Sequence, residues 1–263
     1  VGGALMQQRC WESRASNQTE KIVMPSPRAR LLLFAATICI GLTLVGCGAG
    51  RLWAAQAKPD RLKTVLDQMD AASAKFRSAE ANVQKLQFEK IVNDTSTETG
   101  VIYFMRSGGS MQMGAKFDPP DEQILEYKNG VGRIYNPATN QLQQFSAGGA
   151  NAARSEAYLT LGFGGSGSDL AKAWTVTDLG AEQMSDGSNT VTVEKLDLVS
   201  KDASVRGTFT HIAIWVDPAR DVELKQVGYT PSGDTNTTIY TNIKLNTPID
   251  LKPFAIKCKG KCS

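Results

Sequence analysis

Residues 110–117 read SMQMGAKF. Met111, Met113, Ala115 and Phe117 alternate with Ser110, Gln112, Gly114 and Lys116, the two-residue period of a strand with one buried face. The same period predicts strands at 83–92, 100–106, 122–128, 131–136 and 140–145. It returns at 174–184, 189–198, 208–217, 222–229 and 236–245, about eleven strands in all. The joints carry turn chemistry: Ser107-Gly108-Gly109, Asp118-Pro119-Pro120-Asp121, Asn129-Gly130 and NPATN at 136–140. Asn-Gly between strands signals a tight hairpin. Short strands joined by tight turns pair antiparallel, because a parallel partner needs a long crossover.

Two stretches break this period. Over 61–79, Leu62, Val65, Leu66, Met69, Ala72 and Phe76 recur at steps of three and four, which predicts an amphipathic helix with Asp60 at its N-cap. Residues 151–173 interrupt the strands. A helix is expected at 152–161, a flexible joint at 162–167 (GFGGSG) and a further helical turn at 169–173. A sheet of so many strands curls rather than staying flat. Its concave apolar face needs a cover, and the helices are the covers available. The predicted class is α+β: an incomplete antiparallel β-barrel with an N-terminal amphipathic helix and a helical lid over an apolar hollow.

The N-terminal 57 residues read differently. Residues 1–23 lack any hydrophobic period and are expected to be an upstream extension ahead of Met24. From Met24, Arg28 and Arg30 precede an apolar run at 31–45, the pattern of an export signal and shorter than the roughly 20 residues of a spanning helix. Two cleavage readings stand. Leu44-Val45-Gly46-Cys47 resembles a lipobox, in which Cys47 is lipidated and two acyl chains anchor the chain stably. Ala55-Gln56-Ala57 fits cleavage before Lys58. The lipobox is preferred because the rival leaves Arg51 and Trp53 in a long c-region. Both lead to the cell envelope and periplasm, and residues 58–263 form one expected domain.

Residues 1–57 hold six of the 29 basic and two of the 26 acidic residues, so the remainder carries 23 and 24. Near neutrality gives no electrostatic case for nucleic acid. Cys258 and Cys262 are the only cysteines beyond residue 57, and a short disulfide is expected in an oxidising compartment. A metal site is disfavoured, since zinc takes four ligands and no histidine lies nearby. His211, the single histidine, has no nucleophile motif to serve, no G-x-S-x-G occurs, and 162–167 lacks the lysine of a phosphate loop. No catalytic residue and no cofactor is assigned, and an enzyme is not expected.

In order along the chain stand GVIYFMR at 100–106, MQM at 111–113, DPPDEQIL at 118–125, Asn129-Gly130, IYNP at 134–137, NQL at 140–142 and YTPSGDTNTTIYTN at 229–242. That order resembles the LolA-type family of outer-membrane lipoprotein carriers and lipoprotein-sorting proteins, over about residues 60–250. The resemblance implies an incomplete barrel closed by a helical lid, whose cavity shields lipoprotein acyl chains during transport. A related receptor of the same fold is itself lipid-anchored. On this reading Tyr103, Met105, Met111, Met113 and Phe117 line the cavity; Tyr158, Leu159, Leu161 and Phe163 form the lid's inner surface. The family's strand-terminal arginine corresponds to Arg106, the lid latch, although Ser107 stands where a proline usually follows. The implied partners are acylated lipoproteins or lipid, with inner- or outer-membrane sorting components, and the implied state is monomeric. The alternative is a lipid-anchored envelope sensor or scaffold of the same fold without lipoprotein cargo.

Overall fold

The computed structural model describes residues 60–107, 110–146, 161, 163–260 and 262. All of them lie in one unit, Ala55–Ser263. The elements run α1 (Arg61–Ser73), β1 (Ser78–Glu89), β2 (Asp94–Ser107), β3 (Ser110–Phe117), β4 (Ile124–Lys128), β5 (Val131–Asn136), β6 (Gln141–Ser146), α2 (Gly167–Ala173), β7 (Trp174–Ser185), β8 (Thr190–Ser200), α3 (Ala203–Arg206), β9 (His211–Asp217), β10 (Val222–Tyr229) and β11 (Thr235–Leu245). A 3-10 turn, Lys252–Phe254, follows.

The eleven strands form a single sheet in the order β6-β5-β4-β3-β2-β1-β11-β10-β9-β8-β7, every pair antiparallel. Two meanders are therefore joined by the pairing of the first strand with the last. The connection from β6 to β7 links the two opposite edges of the sheet. Asn129 and Gly130 both have positive φ, 52° and 75°, as a tight hairpin between β4 and β5 requires.

The sheet curls. In the β7–β8 turn the Asp186 carbonyl accepts a bond from the Asn242 N–H of β11 at 2.7 Å. On a flat sheet β8 and β11 would lie about 14 Å apart, three spacings of ~4.8 Å. The β7–β8 hairpin overhangs the shorter β9–β10 hairpin and folds across its tip. There Arg220 bonds Asp186 at 3.1 Å and Asp217 at 2.6 Å.

Register assigns the faces. Ala79, Phe104, Met113 and Tyr127 share one rung across β1 to β4; Ala81, Ile102, Ala115 and Leu125 share the next; Val83, Gly100 and Phe117 the next. This apolar face carries Phe76 and Phe163 in one buried cluster. Over β7, β8 and β9, the buried Val65 and Met69 of α1 and Leu170 of α2 pack with Trp174, Leu196, Leu198, Ile212 and Ile214.

Three expectations are corrected. The helix ends at Ser73 rather than 79, because 74–77 turn to lay Phe76 against Gly164 and β1 already begins at Ser78. Asp60 occupies the N-cap position, but its side chain makes no cap bond. Tyr103 and Met105 alternate with Ile102, Phe104 and Arg106, so they face away from Met111 and Met113. Tyr103 is buried against Phe254 instead, ring centroids 4.7 Å apart. The C-terminal segment thus covers the outer face. It ends in the Cys258–Cys262 disulfide, and Lys259 N–H donates to Asn140 Oδ1 at 2.9 Å.

Gly100 tests the closeness of β2 to β3. A Cβ there would stand 2.2 Å from the Lys116 carbonyl oxygen and 2.9 Å from Phe117 Cα, both backbone atoms. Gly100→Ala is expected to cost about 1–3 kcal/mol. The check is a lower urea midpoint at unchanged slope.

Candidate functional site

The concave face is built around one guanidinium. Arg106 is the penultimate residue of β2, on the face of Ile102 and Phe104 and opposite Met111. Its Nη1 donates to the Ser73 carbonyl at 3.1 Å; its Nη2 donates to the Gly164 carbonyl at 2.6 Å and to Ser73 Oγ at 3.3 Å. Ser73 Oγ in turn donates to the Gly164 carbonyl at 2.8 Å. Ser73 closes α1, so a cation here satisfies the helix's terminal carbonyl and opposes the negative end of its dipole. Arg106 also stands 6.0 Å from the Phe76 ring.

One peptide is thereby held from both sides. Gly164 gives its carbonyl to Arg106 and Ser73, while its N–H donates to the Asp221 carbonyl at 3.4 Å. Gly164 has φ +78°, and a Cβ there would meet the Phe76 ring at 2.4 Å. The preceding Phe163 is fully buried between Phe104, at 4.6 Å, and Tyr240, at 5.1 Å. The expected flexible joint over 162–167 is corrected at its described positions. Gly164 is clamped, and Gly167 lies so close to α1 that a Cβ would stand 2.2 Å from the Leu66 carbonyl. Asp70 Oδ1 accepts from Ser168 N–H at 2.9 Å, tying α2 to α1.

Of the expected site residues, Met111, Met113 and Phe117 share the concave face, Met111 and Met113 partly exposed and Phe117 buried. Leu161 and Phe163 are buried, in the two different apolar clusters. Tyr158, Leu159, the 152–161 helix apart from Leu161, and Cys47 lie outside the described residues. His211 stacks on Tyr229 at 4.2 Å and meets Asp197 Oδ1 at 2.6 Å. Among the described residues no group of three or more His, Cys, Asp or Glu could hold a metal, and no helix is long and apolar enough to cross a membrane.

Sequence reasoning missed Asp221 and Glu223. In VELKQV, at 222–227, Glu223 and Lys225 alternate with apolar residues and read as one solvent face. A register shift between them turns Glu223 inward, opposite Val216. Glu223 is wholly buried, and neither carboxyl oxygen has a hydrogen-bond partner among the described residues. Burial pushes its pKa well above the carboxylate range. Asp221 Oδ2 is also buried and unpartnered. Burial raises Asp221 to about 7, against the opposing pull of Arg106. Burial also raises Tyr240, beside Glu223.

Neither the family models nor the curated proteins contain a match to this chain. Solved structures that align with this chain include a putative outer-membrane lipoprotein-sorting protein domain from Vibrio parahaemolyticus, at 13% identity over 73% of this chain and 97% of that one, TM-score 0.40. A LolA superfamily protein from Nitrosomonas europaea matches at 13% identity over 74% and 97%, TM-score 0.37. The lipoprotein LppX of Mycobacterium tuberculosis matches at 9% identity over 72% and 99%, TM-score 0.42. The incomplete antiparallel barrel itself rests on the strand order and the curl described above.

Replacing Arg106 leaves the Gly164 carbonyl with one donor fewer and removes a donor from Ser73. Arg106→Leu is expected to lower stability by about 2–3 kcal/mol, the scale of buried groups left unsatisfied. Arg106→Lys, with fewer donors, falls between. Urea unfolding measures the loss, and proteinase K cleavage near 163–166 should accelerate in the same order.

Proposed function

We propose that this protein binds acyl chains, of lipoproteins or of lipid in the cell envelope, on the concave face beneath the Phe163–Gly164 clamp. The observation that carries the reading is a closure of particular kind. An apolar strip, with Met111, Met113 and Leu125 partly exposed, continues beyond two aromatic side chains that are held down by a few hydrogen bonds from one arginine. Burying ten methylenes contributes about 8 kcal/mol. Breaking the clamp costs a few kcal/mol of that, on the scale of about 1–3 kcal/mol per buried group left unpaired. A chain is then held without covalent chemistry and can be handed on. Methionine suits the role because its flexible, polarisable side chain follows ligands of varied shape. In this reading Arg106 is the latch, and Cys47, when lipidated, tethers the domain to a membrane. Cleavage before Lys58 makes it a diffusing carrier, and the mass of the mature N-terminus distinguishes the two.

A second reading has its own observation. Phe163 is fully buried on Phe104 and Tyr240, as in a permanently closed core, which favours an envelope sensor or scaffold that meets a protein partner on its rim.

A photoreactive fatty acid separates them. Labelling is expected on peptides holding Met111 and Met113, with Tyr103 and Met105 spared, and to increase in Arg106→Leu. Labelling of the outer face alone, or none in either protein, would refute acyl binding at this site.

A further inference from the structure

The clamp closes over buried carboxyl oxygens that have no hydrogen-bond partner among the described residues. Asp221 is 3% exposed and Glu223 is 0% exposed, and three of their four carboxyl oxygens are buried without a hydrogen bond among the described residues. Such groups normally find a partner or an explanation. Asp221 is tied to the closure directly, because its own carbonyl receives the Gly164 N–H. Glu223 is tied through Tyr240, which neighbours it and packs 5.1 Å from Phe163.

We propose that Asp221 and Glu223 make the clamp a pH-sensitive latch: it is tight when both carboxyls are protonated and loosens as they ionise, because opening hydrates them. The inference rests on the clamp acting as a closure that opens, as proposed above.

The charged surroundings fix the sign. Among the described residues, Arg106 on β2 is the one cation that acts on Asp221, and it is already committed to Gly164 and Ser73. Asp70 on α1 opposes ionisation of Asp221. Arg220, next in the chain, turns to Asp217 and Asp186. On α2, Asp169 and Lys172 pair with each other at 2.9 Å. Tyr240 on β11 stays neutral. Burial therefore outweighs the single attractive charge, and Asp221 titrates near 7 in the closed state against an ordinary value of 3.8. An acid whose pKa is raised by closure stabilises the closed state fully below its open-state pKa. That stabilisation is lost as pH climbs through the window from 3.8 to about 7. Glu223, also raised, carries the same trend higher.

The test uses the ligand-free full chain. Exchange of the Gly164 amide is followed by NMR from pH 5 to pH 8 and divided by the intrinsic exchange rate at each pH. The resulting opening constant is expected to rise at least about tenfold between pH 5 and pH 7. In Asp221→Asn the rise should shrink at least about fivefold. Asn tolerates the positive φ of 54° at this position, so the backbone is kept. Adding Glu223→Gln should remove the remaining slope. A flat profile in the wild-type chain overturns the proposal by itself, whether or not the variants fold. An unchanged slope in Asp221→Asn does so too. No ligand is present, so failure of acyl binding leaves this result standing, and a flat profile leaves acyl binding untouched.

Discussion

Arg106 does three things with one planar group. It satisfies the carbonyl that ends α1, holds the Gly164 peptide and stands beside the Phe76 ring. A guanidinium is suited to this because its donors fan out in a fixed plane, whereas an ammonium offers a point charge. The two apolar side chains over the middle of the sheet, Phe76 and Phe163, flank the residues this group holds. The middle of the concave face is therefore closed by directional polar bonds added to an apolar contact, and such bonds break singly and re-form.

The sheet makes that closure necessary. Eleven antiparallel strands with one apolar face must curl, and curling leaves a hollow whose lining still needs cover. The overhanging β7–β8 hairpin closes one region by reaching β11, and α1 with α2 covers β7 to β9. The C-terminal segment takes the outer face of β2, with Phe254 on Tyr103. Along β3 and β4, Met111, Met113 and Leu125 keep partial exposure on this face.

Much of this was legible in the sequence, and the failures have local causes. Strands such as β3 and β5 follow from two-residue periodicity because each lies between clear turn signals. The helix was read too long because Phe76 falls on the same face as Met69 at helical spacing, although it packs from a turn. The resemblance groups Tyr103 and Met105 with the cavity, while the alternation that builds the sheet sends them to the other side. The glycine-rich 162–167 stretch reads as a hinge from composition, yet Gly164 and Gly167 are there because neighbouring groups leave no room for a Cβ. Glu223 was invisible because a register shift leaves no trace in composition. Arg106 is marked by the family resemblance, and its partners Ser73 and Gly164, distant in sequence, come only from the fold.

Acyl binding as proposed requires Phe163 to lift from Phe104 and Tyr240. Fluorine NMR on 4-fluorophenylalanine-labelled protein, with Phe163 assigned by Phe163→Leu, observes that step directly. Upon titration with a long-chain fatty acid, the Phe163 resonance is expected to leave its shielded, ring-current-shifted position and become sensitive to solvent. A fatty acid that binds while that resonance stays fixed and shielded would overturn binding beneath Phe163.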